Sequence, residues 1–68
     1  MKSEAQQLGR NLKKIRTKKS ISQGDIARAL NVARSFVSDI ENGKRNPTLA
    51  TIAKLAKAVG VSTSELLK

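Results

Sequence analysis

The sequence predicts an all-α protein, built as a compact bundle of five short helices. Apolar residues recur at spacings of three and four along most of the chain, the period of an amphipathic helix, and no stretch alternates like a half-buried strand. Residues typical of helix ends, among them Asn31, Gly43 and Gly60, divide the chain at regular intervals. At 68 residues, the chain is expected to be a single domain, 1–68.

The first helix is predicted over residues 5–18. One apolar stripe runs along it, with members three, four and three residues apart. Lys18 and Lys19 close it, because cations in a last turn complement the helix dipole. The stripe consists of Ala5, Leu8, Leu12 and Ile15.

The second helix is predicted from Gln23 to Leu30. Ser22 is a typical N-cap, and Asp25 lies three residues later as a short-armed version of the capping-box partner. Asn31 is the expected stop, because asparagine tolerates the left-handed conformation that a tight turn needs.

The third helix is predicted from Arg34 to Asn42, with Gly43 at C′. Only residues 31–33 separate it from the second helix, too few for antiparallel packing but suited to a steep crossing. Residues 23–42 therefore have the pattern of a helix-turn-helix, in which the third helix is the one presented to DNA.

The fourth helix begins after a basic loop, residues 44–47, and Thr48 is its N-cap. Gly60 ends it. Ser62 and Glu65 then predict a second capping box, which opens a short fifth helix. The apolar residues of the fourth helix are Leu49, Ile52, Leu55, Ala56 and Val59.

Charge and composition restrict the function. Fourteen Lys or Arg against five Asp or Glu give a net charge of +9, which favours a polyanionic partner: nucleic acid first, an acidic membrane surface second. The membrane hypothesis is weak, because the apolar residues of the first helix are needed for the core. Without Cys or His, and without a Gly-rich phosphate loop, neither an enzyme, a metal nor another cofactor is expected. No small-molecule ligand is indicated.

The predicted third helix separates its residues by chemistry. Val37 and Ile40 lie on one side with Phe36 at the boundary, where core packing is the favoured role for the ring. A polar face that can enter a groove lies opposite. Arg can bond guanine in bidentate fashion, Ser can bond either base type, and Asp can accept from the amino group of cytosine. A solvated polar face, as on any surface helix, is the alternative. The outward residues are Arg34, Ser35, Ser38, Asp39 and Asn42.

These motifs resemble the phage repressor and Cro (XRE-type) helix-turn-helix family, with similarity from Leu8 to Leu67. The stretch Ile-Glu-Asn-Gly-Lys at 40–44 is its most specific part. The resemblance implies a lambda-repressor-like fold and a sequence-specific transcriptional regulator that binds double-stranded DNA through the major groove. The matching residues are Ser22, Gln23, Ala27, Val32, Ile40, Glu41, Asn42, Gly43, Lys44, Asn46 and Pro47.

The resemblance also implies roles for individual residues. Arg16 and Glu41 match positions that form a partly buried ion pair, and Gln23 would both contact a phosphate and brace the third helix. Independently of the resemblance, Arg10 lies opposite the apolar stripe of the first helix and is free to reach the DNA backbone, although a solvated basic face is the alternative. Base edges would be read by Arg34, Ser35 and Asp39, with Ser38 beside them. The DNA backbone would also be held by Lys44, Arg45 and Asn46.

A homodimer on a palindromic operator is expected, because one presented helix covers only a few base pairs. Leu49, Val61 and Leu67 are the interface candidates, although each could instead close the core of its own monomer. Residues 34–38 also resemble a stretch of restriction–modification controller proteins, which bind as dimers. An antitoxin-type or other protein-interaction module of the same fold is the alternative function. The expected location is the cytoplasm, for a bacterial, archaeal or phage-encoded protein.

Overall fold

Five α-helices account for most of residues 3–68, the part of the chain that this computed structural model describes. The all-α prediction is confirmed, and the predicted bounds hold to within one residue. In chain order the helices are α1 Glu4–Lys18, α2 Gln23–Leu30, α3 Arg34–Glu41, α4 Leu49–Val59 and α5 Thr63–Leu67.

Hydroxyl side chains cap four of the five helices, each accepting a hydrogen bond from the amide three residues later. The capping box predicted for α5 is wrong in one half. Ser62 accepts from the amide of Glu65, but the Glu65 carboxylate pairs with Lys68 Nζ at 2.9 Å instead of returning to the Ser62 amide. At α3, Ala33 provides no side-chain cap. The capping residues are Ser3, Ser22, Thr48 and Ser62.

The predicted helix stops have left-handed backbones. Asn31 ends α2 at φ +58°, which asparagine tolerates better than most residues. Gly43 follows α3 at φ +72°, and its Cα faces Gln6 so closely that a Cβ would lie 2.8 Å from the Gln6 side chain. Both stops turn the chain sharply on either side of α3.

All five helices contribute to one hydrophobic core, and the predicted apolar stripes supply most of it. Leu49 is the exception: its spacing predicts a place on the apolar stripe of α4, but it is 77% exposed. It occupies the first position of α4, and a helical side chain covers the turn preceding its own Cα, where no packed turn exists. The buried apolar residues are Leu8, Leu12, Ile26, Ala27, Val37, Ile40, Ile52, Leu55, Ala56, Val59 and Leu66.

Helix α1 touches the end of α3 backbone to backbone at Gly9. A Cβ there would lie 2.6 Å from the carbonyl oxygen of Glu41 and closer still to that of Ile40. Only glycine permits this approach. It fixes the C-terminal end of α3 against α1.

Side chains from α1 also bond the ends of the last two helices. Asn11 Nδ2 donates to the carbonyl oxygens of Leu66 at 2.8 Å and Lys68 at 3.0 Å. Lys19 Nζ donates to the carbonyl oxygen of Val59 at 2.8 Å. These bonds satisfy carbonyls that a helix C-terminus leaves without an intrahelical partner. They fix the C-terminal ends of α4 and α5 to α1 and to the residue that follows it.

Candidate nucleic-acid interface

Helix α3 turns a polar face away from the core. Val37 and Ile40 are completely buried, whereas Arg34 and Ser35 at the start of the helix are exposed. Ser38 and Asp39 are partly buried. The predicted division of the helix into an apolar and a polar side therefore holds, with Arg34 and Ser35 the more accessible of the candidate base-contacting residues.

The basic loop continues directly from this helix. Lys44, Arg45 and Asn46 are all exposed, and the amide of Lys44 donates to the carbonyl of Asp39 at 2.9 Å. The Arg45 guanidinium lies over the Phe36 ring, 4.7 Å from its centroid. A cation over an aromatic face is attracted by the ring quadrupole, so this arginine is held beside α3.

Phe36 therefore has two roles where the sequence predicted one. It packs against the core as expected, and its outer face carries Arg45. Sequence reasoning missed the second contact, because the partners are nine positions apart and belong to a helix and to the loop that follows it.

Arg16 and Glu41 form an ion pair between α1 and the end of α3. Arg16 Nη2 donates to Glu41 Oε1 at 2.9 Å, and Arg16 Nε donates to Oε2. The two side chains are 13% and 3% exposed. This bidentate geometry matches the fork of the guanidinium to the carboxylate.

Burial alone would raise the pKa of Glu41, but hydrogen bonds from Arg16 and Gln23 outweigh it and hold that pKa below its ordinary value. The hydrogen bond to Glu41 raises the pKa of Arg16, more than burial lowers it. Both groups are consequently charged at neutral pH. Glu41 is then an acceptor only.

Gln23 connects this ion pair to the presented helix. Its Nε2 donates to Glu41 Oε1 at 2.9 Å, and its Oε1 accepts from Arg34 Nε at 3.4 Å. A chain of polar contacts thus runs from Arg16 through Glu41 and Gln23 to Arg34. Sequence reasoning did not find the Gln23–Glu41 bond, because no helical spacing relates the two residues.

Arg10 lies near the C-terminal end of α3. Its exposed side chain lines a small polar notch together with Gln6, Glu41 and Asn42. Of the two candidate phosphate contacts outside the loop, Arg10 therefore lies near the C-terminal end of α3, whereas Gln23 contacts side chains from both ends of that helix.

The three dimer candidates differ in exposure. Leu49 and Leu67 are 77% and 48% exposed and are the large exposed hydrophobic residues of the described chain. Val61 is partly buried and packs against the core, so it serves its own monomer at least in part.

Neither a metal-binding cluster nor a membrane-spanning helix is found among residues 3–68. Nowhere in 3–68 do three or more His, Cys, Asp or Glu side chains converge in a way that could hold a metal ion. None of the five helices is long and apolar enough to cross a membrane.

Comparison with known proteins identifies similar chains. The sequence model of the helix-turn-helix family HTH_3 matches residues 12–66. The control protein C.MunI from Mycoplasma sp is 41% identical over 59 residues, which cover 85% of this chain and 80% of that protein.

Two solved structures of restriction–modification controller proteins are also similar. C.AhdI from Aeromonas hydrophila superposes with a TM-score of 0.86 and 37% identity, over 91% of this chain and 94% of its own. The C.Esp1396I tetramer, solved in complex with its natural 35 base-pair operator, superposes with a TM-score of 0.81 and 29% identity, over 100% of both chains.

Proposed function

This chain belongs to the helix-turn-helix family HTH_3, and from that membership we propose that it binds an operator in double-stranded DNA as a homodimer and regulates transcription there. The observation that carries the proposal is the presentation of α3, with an exposed polar face and a basic loop at its end. The major groove of B-DNA admits an α-helix. The net charge of +9 favours the same partner.

Base recognition is assigned to α3. Arg34 is exposed at the start of the helix, where its terminal nitrogens can bond the O6 and N7 atoms of guanine. Ser35 is equally exposed. Ser38 and Asp39 follow along the same face, partly buried, and would approach base edges only when the helix enters the groove fully.

The residues assigned to the DNA backbone surround this helix. They fix the register on the duplex but read no sequence. Gln23 retains one amide hydrogen for a phosphate after bonding Glu41. The other residues assigned to DNA phosphates are Arg10, Lys44, Arg45 and Asn46.

The first test separates base reading from backbone binding. Arg34→Ala is expected to cost about 1–3 kcal/mol of binding free energy and to relax the preference at one base position per half-site. Lys44→Ala is expected to weaken binding to all sequences alike and to reduce the salt dependence. Selection of bound duplexes from a random pool, repeated with each variant, measures both. Unchanged selectivity in Arg34→Ala would refute the assignment of α3 as the reading helix.

The second test addresses the dimer. Two copies related by a two-fold axis double the base contacts and require half-sites about 34–36 Å apart, one turn of the duplex. The exposed Leu49 and Leu67 supply apolar surface for the partner copy, and Val61, the third candidate, lies partly buried in the turn between α4 and α5. Sedimentation with a duplex carrying one palindrome should give two chains per duplex. A single chain per duplex at saturation would exclude the homodimer.

The similar control proteins support a regulatory rather than a catalytic role. We place this activity in the cytoplasm of a bacterial or archaeal host, where an operator of this kind is accessible. An antitoxin-type role would instead require a protein partner, and the described residues offer no specific observation in its favour.

A further inference from the structure

The four asparagines of the chain differ in the residue that follows them. Deamidation of asparagine begins when the backbone nitrogen of the next residue attacks the side-chain amide. A glycine nitrogen is the least hindered nucleophile, because glycine has no Cβ, whereas a proline nitrogen carries no hydrogen to lose. Asn42 precedes glycine, so its position in the sequence favours this reaction. The other asparagines precede leucine, valine and proline, and they are Asn11, Asn31 and Asn46.

Asn42 also lies where a change of charge would affect DNA binding. It follows the last residue of α3, it is exposed, and it lines the same polar notch as Arg10. The basic loop begins two residues later at Lys44, whose amide donates to the carbonyl of Asp39 at 2.9 Å. Asn42 thus lies between the helix assigned to base edges and the loop assigned to phosphates.

The folded backbone holds Asn42 and Gly43 in a geometry that does not react. The reaction closes a five-membered ring, which requires the Asn42 Cβ and the Gly43 nitrogen to lie on the same side of the Cα–C bond. At ψ +4° the two backbone nitrogens lie on the same side instead, and the Cβ is turned away by about 120°. The Gly43 N–H also donates to the carbonyl oxygen of Ile40 at 3.1 Å, which keeps its proton in place. The C-terminal end of α3 must therefore open before the ring can close.

We propose that Asn42 is a self-modification site of this protein and that opening of the C-terminal end of α3 controls its reaction. In the opened chain the Gly43 nitrogen bonds Cγ of Asn42, the Cγ–Nδ2 bond breaks, and ammonia leaves with the amide proton. Water then opens the resulting succinimide at either carbonyl carbon, which gives aspartate or isoaspartate at position 42. Water is the only other reactant that the change consumes.

Both products should weaken DNA binding, a consequence that rests on the proposed function. Each places a carboxylate beside Glu41 at the C-terminal end of α3, where the helix dipole disfavours negative charge. The same carboxylate would lie in the notch with Arg10 and would repel DNA phosphates. Isoaspartate also adds a carbon atom to the main chain between α3 and the loop, which disturbs the bond from the Lys44 amide to Asp39.

The first measurement follows the mass of proteolytic fragments after incubation at neutral pH. Deamidation replaces NH2 with OH and adds one mass unit. The full chain unfolded in guanidinium chloride should gain this unit at Asn42 at least about ten times faster than the folded chain, because opening limits the folded rate. Asn46 is the internal control, since it is also exposed but precedes proline and should keep its mass. Cleavage after Lys and Arg separates the two asparagines into fragments 35–44 and 46–54.

Gly9→Ala tests the control by α3, at a temperature where circular dichroism shows the variant folded. It disturbs the close approach that fixes the C-terminal end of α3 against α1. Asn42 in this variant should react faster than in the wild-type chain, by about fivefold or more. Gly24→Ala is the matched control, because a Cβ in α2 makes only ordinary contacts, and it should not raise the rate.

Two substitutions at position 42 test the consequence for DNA. Asn42→Asp carries the charge of one product, whereas Asn42→Gln keeps a neutral amide whose longer arm forms the ring far less readily. Asn42→Asp should bind selected and random duplexes more weakly than Asn42→Gln, by about two- to fivefold per half-site, the effect of one exposed charge. Prolonged incubation should lower the affinity of the wild-type chain but not that of Asn42→Gln.

Each part of the proposal has a result that would overturn it. Equal masses gained at Asn42 and Asn46 in the unfolded chain would overturn the modification site. Equal rates at Asn42 in the folded and unfolded chains, or no acceleration in Gly9→Ala, would overturn the control by α3. Equal affinities of Asn42→Asp and Asn42→Gln would overturn the effect on binding. A fresh wild-type chain without affinity for DNA would overturn the proposed function, whereas the mass measurement would still decide the modification site.

Discussion

Glu41→Ala is expected to lower the free energy of unfolding by about 3–5 kcal/mol, among the largest effects of any single substitution in this chain. The variant would leave the Arg16 guanidinium, 13% exposed, without its carboxylate. It would also remove the acceptor of the Gln23 amide. The cost comes mainly from an uncompensated buried charge rather than from the lost attraction.

Asp39→Ala is the matched control, two residues earlier on the same helix. The Asp39 side chain forms no ion pair among residues 3–68 and is partly exposed. Its substitution should change stability by about 0.5 kcal/mol or less. Urea titrations followed by circular dichroism measure the free energy of unfolding of both variants. Equal midpoints for the two variants would show that the ion pair contributes nothing beyond an ordinary surface carboxylate.

Gly9→Ala is the second substitution with a large expected effect. It should lower the free energy of unfolding by about 1–3 kcal/mol or more. The added methyl group would meet the carbonyl oxygens of Ile40 and Glu41, which belong to the backbone of α3 and cannot rotate away. Helices α1 and α3 would have to separate. The gain in helix propensity, about 1 kcal/mol for alanine over glycine, offsets only part of this loss.

Gly24→Ala is the control, because the same substitution should have the opposite sign there. Gly24 is in α2, and a Cβ would make only ordinary contacts, 3.5 Å from Arg28 Nη1 and 3.6 Å from Ser22 Oγ. That variant should be more stable by about 0.5–1 kcal/mol. Thermal unfolding of the two variants measures both changes in stability. A stabilised Gly9→Ala would mean that the two helices are not in backbone contact.

The contacts around α3 also connect stability with recognition. The close approach at Gly9 and the Arg16–Glu41 pair both fix the C-terminal end of α3, and Gln23 extends this arrangement to Arg34 at the N-terminal end. A rigid reading helix loses less entropy on binding. Variants that loosen its attachment should therefore lose selectivity before they lose the general attraction to DNA, which depends on charge alone.

The sequence by itself determined the helices and their order. Helix ends depend on local chemistry, so Ser22 as a cap and Asn31, Gly43 and Gly60 as stops could be recognised from neighbours within a few residues. The core followed from the helical period, because a residue's place on a helix face is fixed by its number. The family resemblance added the partnership of Arg16 with Glu41, which periodicity alone does not give.

Only the tertiary structure decided which faces meet and how closely. Leu49 has the spacing of a core residue yet is exposed, because the first position of α4 has no packed turn before it. Gly9, the Gln23–Glu41 bond and the Arg45–Phe36 contact all join residues from different elements. Such contacts depend on the distance and angle between packed helices, and no local pattern in the sequence encodes either quantity. The chain of polar contacts from Arg16 to Arg34 is therefore a property of the assembled fold.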